Sequence, residues 1–144
     1  MKVVDLNVLL YAVNANAPHH HLAHTWLEDA LNGIEPVGFC WSVMTGYLRI
    51  STNPRIFPEP LTATEALADI KTWLSADATV VVEPGTGHLD ILADLLEKTG
   101  TAGNLVTDTH IAALAIERGA EVVSFDTDFA RFDGLRWSRP TAPD

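Results

Sequence analysis

Short runs of β-branched residues alternate along this chain with longer stretches of helical apolar spacing, and this alternation constrains the fold more than any other feature. Strands are predicted at residues 2–4, 37–41, 79–82 and 121–125, with a candidate edge strand at residues 135–137. Strands that are separated by helices favour a parallel sheet with right-handed crossovers. We therefore expect an α/β fold, a parallel β-sheet flanked by helices, in which ligands bind beyond the carboxyl ends of the strands.

The helices are predicted from their apolar periodicity and from the residues that begin or end them. They cover residues 6–13, 18–32, 42–51, 88–99 and 104–118, and a further helix follows a capping box formed by Thr62 and Glu65. Asn104 is the expected N-cap of the last helix. Trp26, Trp41 and Trp73 are expected to lie in the core.

The chain has 144 residues, the size of one domain, which we place at residues 1–139, followed by a loose C-terminal tail at residues 140–144. Its single cysteine, Cys40, excludes an internal disulfide, and the first residues make a poor signal segment, so the cytoplasm is the expected location. No stretch approaches the ~20 apolar residues that cross a bilayer. The net charge of −10 means that binding to nucleic acid would need a local basic groove or bound cations.

Two acidic residues stand out because of their surroundings. Asp5 directly follows the first predicted strand, where it is explained equally well as an N-cap or as a functional carboxylate. Asp108 shares a helix face with three apolar residues, Leu105, Ala112 and Ala115. A carboxylate on an apolar stripe is costly without a partner, so we favour a functional role for Asp108 over a buried acid that is bonded to nearby backbone.

A third acidic group follows the fourth predicted strand. Asp126 stands at the end of that strand, and Asp128 comes two residues later, before a short helical turn predicted at residues 129–132. One of these two acids is expected to cap the turn, and the cap is the stronger explanation for Asp128. Ser124 is a candidate to orient a carboxylate or a water through its hydroxyl.

In a parallel sheet, Asp5, Asp108, Asp126 and Asp128 would converge at one edge. Clustered carboxylates repel one another, and a hard divalent cation removes that repulsion. Oxygen ligands that leave room for waters suit Mg²⁺ or Mn²⁺ rather than zinc. A cation held in this way can activate water and stabilise the charge that develops on a phosphate.

Three segments resemble the motifs of the PIN-domain family. Residues 5–12 (Asp-Leu-Asn-Val-Leu-Leu-Tyr-Ala) resemble its opening motif, residues 104–115 its third-acid helix, and residues 124–129 (Ser-Phe-Asp-Thr-Asp-Phe) with Phe132 its closing acid motif. The resemblance covers nearly the whole chain and is strongest to the VapC toxins of bacterial type II toxin–antitoxin modules. It implies a PIN-like fold, Mg²⁺-dependent endoribonuclease activity, a homodimer and silencing by a cognate VapB-type antitoxin.

Under this hypothesis, metal-activated water cleaves RNA phosphodiesters. Asp5, Asp108 and Asp126 are the predicted ligands of Mg²⁺, with Mn²⁺ able to replace it, and Asp128 completes the catalytic acids. Gly46 departs from the family pattern, because many PIN domains have a glutamate at about this position. The missing acid keeps open an alternative, a catalytically inactive PIN-like module that binds RNA or protein.

Two other phosphoryl-transfer folds with an acid after the first strand fit less well. A haloacid-dehalogenase-like phosphatase needs an aspartate two residues after Asp5, where this chain has Asn7. A receiver domain needs a lysine after a late strand, and the last lysine here is Lys98. The sequence therefore disfavours both a haloacid-dehalogenase-like phosphatase and a receiver domain.

Basic and histidine residues give weaker indications. His20 and His24 have a spacing that can bind zinc, but no Cys or second His pair joins them, so a solvated helix face is favoured. Arg49 is expected to contact phosphate or to form a structural salt bridge. The residues that would line an RNA groove, if they are not ordinary surface charges, are Arg49, Arg55, Arg131, Arg136 and Arg139.

Overall fold

Five segments of three residues, four of which contain valine, form the parallel sheet. In the computed structural model, which describes residues 1–142, the strands are β1 (Lys2–Val4), β2 (Val37–Phe39), β3 (Thr79–Val81), β4 (Glu121–Val123) and β5 (Arg136–Ser138). Their order in the sheet is β3-β2-β1-β4-β5, and each neighbouring pair is parallel. The predicted α/β fold with a parallel sheet is confirmed.

The chain changes the direction in which it adds strands after β3. It places β2 and then β3 on one side of β1, and it returns to place β4 and β5 on the other side. The register pairs Val4 with Val123, so Asp5 and Ser124, which follow them, lie at the same level of the sheet. The carboxyl ends of β1 and β4 therefore form a switch point, where open α/β sheets bind their ligands.

Helices connect the strands and cover the core. Within residues 1–142 they are α1 (Leu6–Val13), α2 (His20–Leu31), α3 (Trp41–Ser51), α4 (Ala63–Ser75), α5 (His88–Thr99) and α6 (Val106–Glu117). The predicted capping box at α4 is present, because Thr62 accepts from the Glu65 N–H and Glu65 accepts from the Thr62 N–H. α5 ends at Gly100, whose φ of 69° favours glycine. Residues 111–115 of α6 are all buried, so this helix runs through the core.

Two local predictions are wrong. β2 ends at Phe39, and Trp41 begins α3 with 53% of its surface exposed, so Trp41 does not lie in the core as Trp73 does. An apolar side chain at a helix start can point to solvent once the strand before it has ended, and periodicity does not reveal that boundary. Asn104 lies inside a 3₁₀ turn, Gly103–Leu105, and makes no N-cap bond, because this turn and not a side chain leads into α6.

Gly38, in the middle of β2, permits close packing between the sheet and its neighbours. A Cβ atom at this position would lie 2.7 Å from Val82 Cγ2 and 3.2 Å from Val3 Cγ2. Both contacts are to stiff, β-branched side chains, which cannot move away easily. Gly38 is therefore required by the tight packing of β2 between its neighbours.

The predicted C-terminal tail is described only in part. Pro140 is buried, and Thr141 and Ala142 line a cavity at the amino-terminal edge of the sheet, whereas residues 143 and 144 lie outside the described residues. In the part of the chain that the structure describes, no helix is long and apolar enough to span a bilayer.

Candidate active site

Asp5 is fixed at the carboxyl end of β1 by several hydrogen bonds. Its Oδ1 accepts from the Leu6 backbone N–H at 2.7 Å, which makes it the N-cap of α1. Its Oδ2 accepts from Ser124 Oγ at 2.6 Å and from Asn7 Nδ2 at 3.2 Å. The side chain is 5% exposed, and this burial raises its pKa, while the bonds from Ser124 and Leu6 oppose the rise. Asp5 is thus a helix cap and also a member of a polar network at the switch point.

Asn7 and Ser124 join the ends of β1 and β4. Asn7 Nδ2 donates to Ser124 Oγ at 3.0 Å, and Asn7 Oδ1 accepts from the Phe125 N–H at 3.1 Å. Ser124 Oγ, fully buried, also accepts from the Asp126 N–H at 2.9 Å. The Ser124 prediction fits this arrangement, whereas Asn7 was not among the predicted site residues. Its position two residues after Asp5, in the first turn of the same helix, was the signal that would have found it.

Three further acids meet beside this network. Asp108 projects from the first turn of α6, and Asp126 caps a 3₁₀ turn, Thr127–Arg131, by accepting from the Asp128 N–H at 2.8 Å. Asp108, Asp126 and Asp128 each offer a carboxylate oxygen, and these three atoms lie within 4.8 Å of one another. The cap therefore belongs to Asp126, and the side chain of Asp128 stays available to the cluster.

The four carboxylates influence one another strongly. The pKa of Asp108 is raised from 3.8 to about 7, first by burial and then by the negative charges of Asp5, Asp126 and Asp128. Asp5 lies outside the three-oxygen cluster but lines the same cavity, of about 220 Å³, together with Asn7, Asp108 and Asp126. Several carboxylates that repel one another in and beside a half-buried cavity, with oxygen as the ligand atom, fit a divalent cation such as Mg²⁺ or Mn²⁺.

Gly46 has a packing role in this structure. It lies in α3, and a Cβ there would be 2.9 Å from Leu6 Cδ2. The position at which the resemblance implied an acid therefore lies against Leu6, the first residue of α1, which immediately follows Asp5. A larger residue at this position would require the end of the Leu6 side chain to shift, and glycine leaves the site without a carboxylate from α3.

The predicted basic groove is divided between two ends of the sheet. Arg131 pairs with Asp128 at 3.5 Å, and the guanidinium of Arg139 lies over the ring of Phe125, so these two flank the acidic site. Arg136 instead bonds to the Gly119 carbonyl, near the amino end of β4. Arg49 is exposed and forms no salt bridge with any residue of the described range.

The histidines do not join the acidic cluster. His20 Nδ1 lies 2.8 Å from the Tyr11 carbonyl oxygen, and within residues 1–142 no third ligand side chain joins His20 and His24. His110 is paired instead with His88, with 2.9 Å between His110 Nδ1 and His88 Nε2. His24 is exposed, as a solvated helix face predicts, whereas His20 is half-buried.

Comparisons with known proteins agree with this architecture. The PIN domain family model matches residues 2–135. Ribonuclease VapC37 of Mycobacterium tuberculosis is 47% identical over 142 residues, which are 99% of this chain and 99% of that protein. Ribonuclease VapC33 of the same organism is 44% identical over 140 residues, which are 97% and 98% of the two chains.

Solved structures of lower identity share the fold. A chain in the crystal structure of VapBC2 from Rickettsia felis, bound to a DNA fragment from its promoter, has a TM-score of 0.70 at 18% identity, with 96% and 97% of the two chains covered. A chain of VapBC-1 from nontypeable Haemophilus influenzae has a TM-score of 0.67 at 15% identity, with 96% of each chain covered. The family model and the full-length similarity to VapC37 and VapC33 together mean that this chain belongs to the PIN-domain family and to its VapC branch.

Proposed function

We propose that this protein is a Mg²⁺-dependent endoribonuclease and the toxin of a type II toxin–antitoxin module. The observation that supports this most directly is the convergence of Asp5, Asp108, Asp126 and Asp128 at the switch point of the sheet. The relatives named Ribonuclease VapC, which match over almost their full length, supply the expected reaction.

In the proposed site, Asp108, Asp126 and Asp128 would hold the cation, whereas the ligands predicted from the sequence were Asp5, Asp108 and Asp126; Asp5 would complete the acidic pocket. The carboxylate oxygens that these three residues offer lie within 4.8 Å of one another. A bound divalent cation would lower the pKa of water and balance the charge that develops on the phosphate. A carboxylate that is not occupied by the cation then accepts a hydrogen bond from the attacking water and orients it towards phosphorus.

Asn7 and Ser124 act in this proposal as positioning residues. Asp5 keeps one orientation because Ser124 and Asn7 both donate to its Oδ2. Asp126 is aligned with it because its backbone N–H donates to Ser124 Oγ. The acids are therefore held in place before substrate arrives, which avoids reorganisation during the reaction.

We also propose a cognate antitoxin and a homodimer. A further structure with this fold, VapBC-5 from Mycobacterium tuberculosis, is described as a member of the VapBC family of toxin–antitoxin systems, and VapBC2 and VapBC-1 carry the same family name. An acidic cavity on a chain of net charge −10 would be blocked well by a lysine or arginine that a second protein inserts between Asp5 and Asp108. Sedimentation that shows a monomer at tens of micromolar, with no partner co-purifying from the native cell, would contradict both proposals.

The experiment that tests the reaction combines cleavage with metal binding. The full-length protein is incubated with single-stranded RNA in Mg²⁺, in Mn²⁺ or in EDTA, and its melting temperature is measured under the same conditions. We expect both cations to raise the melting temperature and to support cleavage, because the cation relieves the repulsion among the acids. Asp94→Asn, an exposed acid on α5, is the matched control and should change neither result.

The outcomes separate the two functions that the sequence left open. Cleavage that persists in EDTA would overturn the metal mechanism. A protein that binds Mg²⁺ and RNA but cuts no RNA would be the inactive binding module, which Gly46 favours because it leaves no carboxylate on α3.

A further inference from the structure

A cluster of three rings and one guanidinium lies next to the acidic site, and we call it the aromatic–arginine cluster. It consists of Tyr11, His19, Phe125 and Arg139. The rings of His19 and Phe125 stack at a centroid distance of 4.7 Å and an interplanar angle of 10°. The ring centroid of Tyr11 lies 5.4 Å from that of Phe125 and 5.8 Å from that of His19. Arg139 Cζ lies 5.7 Å from the centroid of the Phe125 ring.

The topology brings these residues to the edge that carries the acids. Tyr11 belongs to α1, and His19 directly precedes α2. Phe125 follows β4 by two residues, and Arg139 directly follows β5. All four side chains therefore lie at or near the carboxyl ends of the strands, on the side of β4 and β5.

Phe125 connects the cluster physically to the acidic site. It stands between Ser124 and Asp126 in the sequence, and its backbone N–H donates to Asn7 Oδ1 at 3.1 Å. Tyr11 lies one helical turn after Asn7 and follows Leu10, which lines the acidic cavity. An RNA strand whose phosphate reached the acids would therefore pass within reach of the cluster.

The cluster is only partly explained by packing. Its three rings are half-buried rather than buried, and Arg139 is exposed. Within residues 1–142, Arg139 forms no salt bridge, although the chain carries a net charge of −10. Partly exposed rings beside an unpaired cation are the features by which proteins bind single-stranded nucleic acid, through stacking on bases and attraction of phosphates.

We propose that the aromatic–arginine cluster is a nucleobase subsite of the ribonuclease. A base adjacent to the scissile phosphate stacks on its rings, and Arg139 leaves the Phe125 ring to bind a backbone phosphate of the same strand. The occupant is single-stranded RNA, because bases within a duplex do not offer their faces for stacking. This inference rests on the proposed function, since it extends the same substrate beyond the acidic site.

The first test separates binding from cleavage. The two cluster variants are His19→Ala and Arg139→Gln. Steady-state cleavage is measured with each substitution made in the wild-type protein. The dissociation constant of a fluorescent RNA oligonucleotide is measured with each substitution made in the Asp108→Asn protein. His19 makes no side-chain cap bond at α2, so its removal costs α2 no cap. The matched controls are His21→Ala, an exposed residue of α2, and Arg136→Gln, at the other end of β5.

The expected result is a loss of affinity with little change in turnover. Each cluster variant should raise KM and the dissociation constant at least about five-fold, and kcat should stay within about two-fold. Arg139→Gln should also reduce the slope of the logarithm of the binding constant against the logarithm of salt concentration by about 1, the value for one lost phosphate contact. Arg136→Gln should leave this slope unchanged. Equal affinity for the wild type and the two cluster variants would overturn the proposal.

The second test asks whether the cluster reads a base. An abasic residue is placed either on the 5′ side or on the 3′ side of the cleaved bond. At one of these two positions it should weaken the binding of the oligonucleotide to the wild type. With His19→Ala, the same replacement should have little further effect, because the stacking partner is already missing. Independent, additive losses would contradict stacking on this cluster.

Failure of the proposed function would look different. A wild-type protein that binds the oligonucleotide but never cleaves it would refute the ribonuclease, and the subsite would then be judged on the dissociation constants alone. If the wild type cleaves RNA, and if both cluster variants bind RNA as tightly as the wild type does, the proposed function stands and the subsite is refuted.

Discussion

Ser124 Oγ donates a hydrogen bond of 2.6 Å to Asp5 Oδ2, although 119 positions separate the two residues in the chain. The bond joins the ends of β1 and β4, the two strands that form the switch point. Ser124 is fully buried and Asp5 nearly so, which means that water does not readily replace either partner. The geometry of the acidic site therefore depends on the pairing of two strands that lie far apart in sequence.

Ser124→Ala should destabilise the protein and slow RNA cleavage. The substitution leaves the Asp126 N–H without its buried partner and removes one of the two donors to Asp5 Oδ2, at an expected cost of about 1–3 kcal/mol. It also removes a bond that opposes the raised pKa of Asp5, so that pKa should rise further. Urea denaturation in EDTA and cleavage rates in Mg²⁺ check the two effects. Ser75→Ala, at the exposed end of α4, is the control, and a Ser124→Ala protein as stable and active as that control would contradict the role of the bond.

Asp108→Asn should abolish RNA cleavage without destabilising the metal-free protein. The substitution removes a charged ligand, for which a neutral amide is a weak replacement at a hard cation, and it also removes repulsion with Asp5, Asp126 and Asp128. The melting temperature in EDTA should be unchanged or higher. Near-normal cleavage by Asp108→Asn would refute the site assignment.

Asp5→Asn should also abolish cleavage but should differ in stability. Asp5 accepts hydrogen bonds from Leu6, Asn7 and Ser124, and an amide would place a donor against at least one of these donors. We therefore expect a lower melting temperature in EDTA, in contrast to Asp108→Asn. Asp94→Asn serves as the control for both variants, because its salt bridge to Lys98 is exposed and should contribute little. Equal melting temperatures for Asp5→Asn and the wild type would mean that the network around Asp5 contributes little to stability.

The contribution of Asp108 to the stability of the metal-free protein should fall as the pH rises from about 4 to about 7. The pKa of Asp108 is about 7 in the folded protein, above its ordinary value of 3.8, so the folded state binds this proton more tightly than the unfolded state. The stabilisation by this proton is complete below the ordinary pKa of 3.8, and it is lost as the pH rises through the folded-state pKa of about 7. The wild type should thus lose stability relative to Asp108→Asn across this range, and the difference should level off above it. Denaturation midpoints of both proteins in EDTA from pH 4 to 8 measure this, and a constant difference would contradict the raised pKa.

Gly38→Ala should destabilise the fold by about 1–3 kcal/mol through overpacking. The added methyl group would lie 2.7 Å from Val82 Cγ2, a stiff neighbour in the core. Gly87→Ala is the matched control, because its Cβ would meet its nearest atom at 3.7 Å and its φ of −88° is ordinary. Chemical denaturation of the two variants should show the difference, and equal midpoints would mean that β2 moves to accept the methyl group.

The sequence by itself determined the elements whose signals are local. The Thr62–Glu65 box defined the start of α4, and the glycine at residue 100 defined the end of α5, since capping and positive φ depend on a few neighbouring residues. The alternation of strands and helices predicted the parallel sheet, and the three motifs predicted the family. These features are readable without the fold because backbone geometry within one turn of a helix or one strand is set by adjacent side chains.

The tertiary structure decided what depends on distant residues. Asn7 reads as an ordinary helix residue until β4 brings Ser124 within 3.0 Å of it, and Arg136 and Arg139 differ in role only because they stand at opposite ends of one strand. The sequence favoured Asp128 as the cap of the turn that follows β4, and the hydrogen bonding assigned the cap to Asp126 instead. The physical reason is that burial, charge repulsion and ring stacking act through space, so the acid cluster and the aromatic–arginine cluster exist only when strand pairing has placed their members side by side.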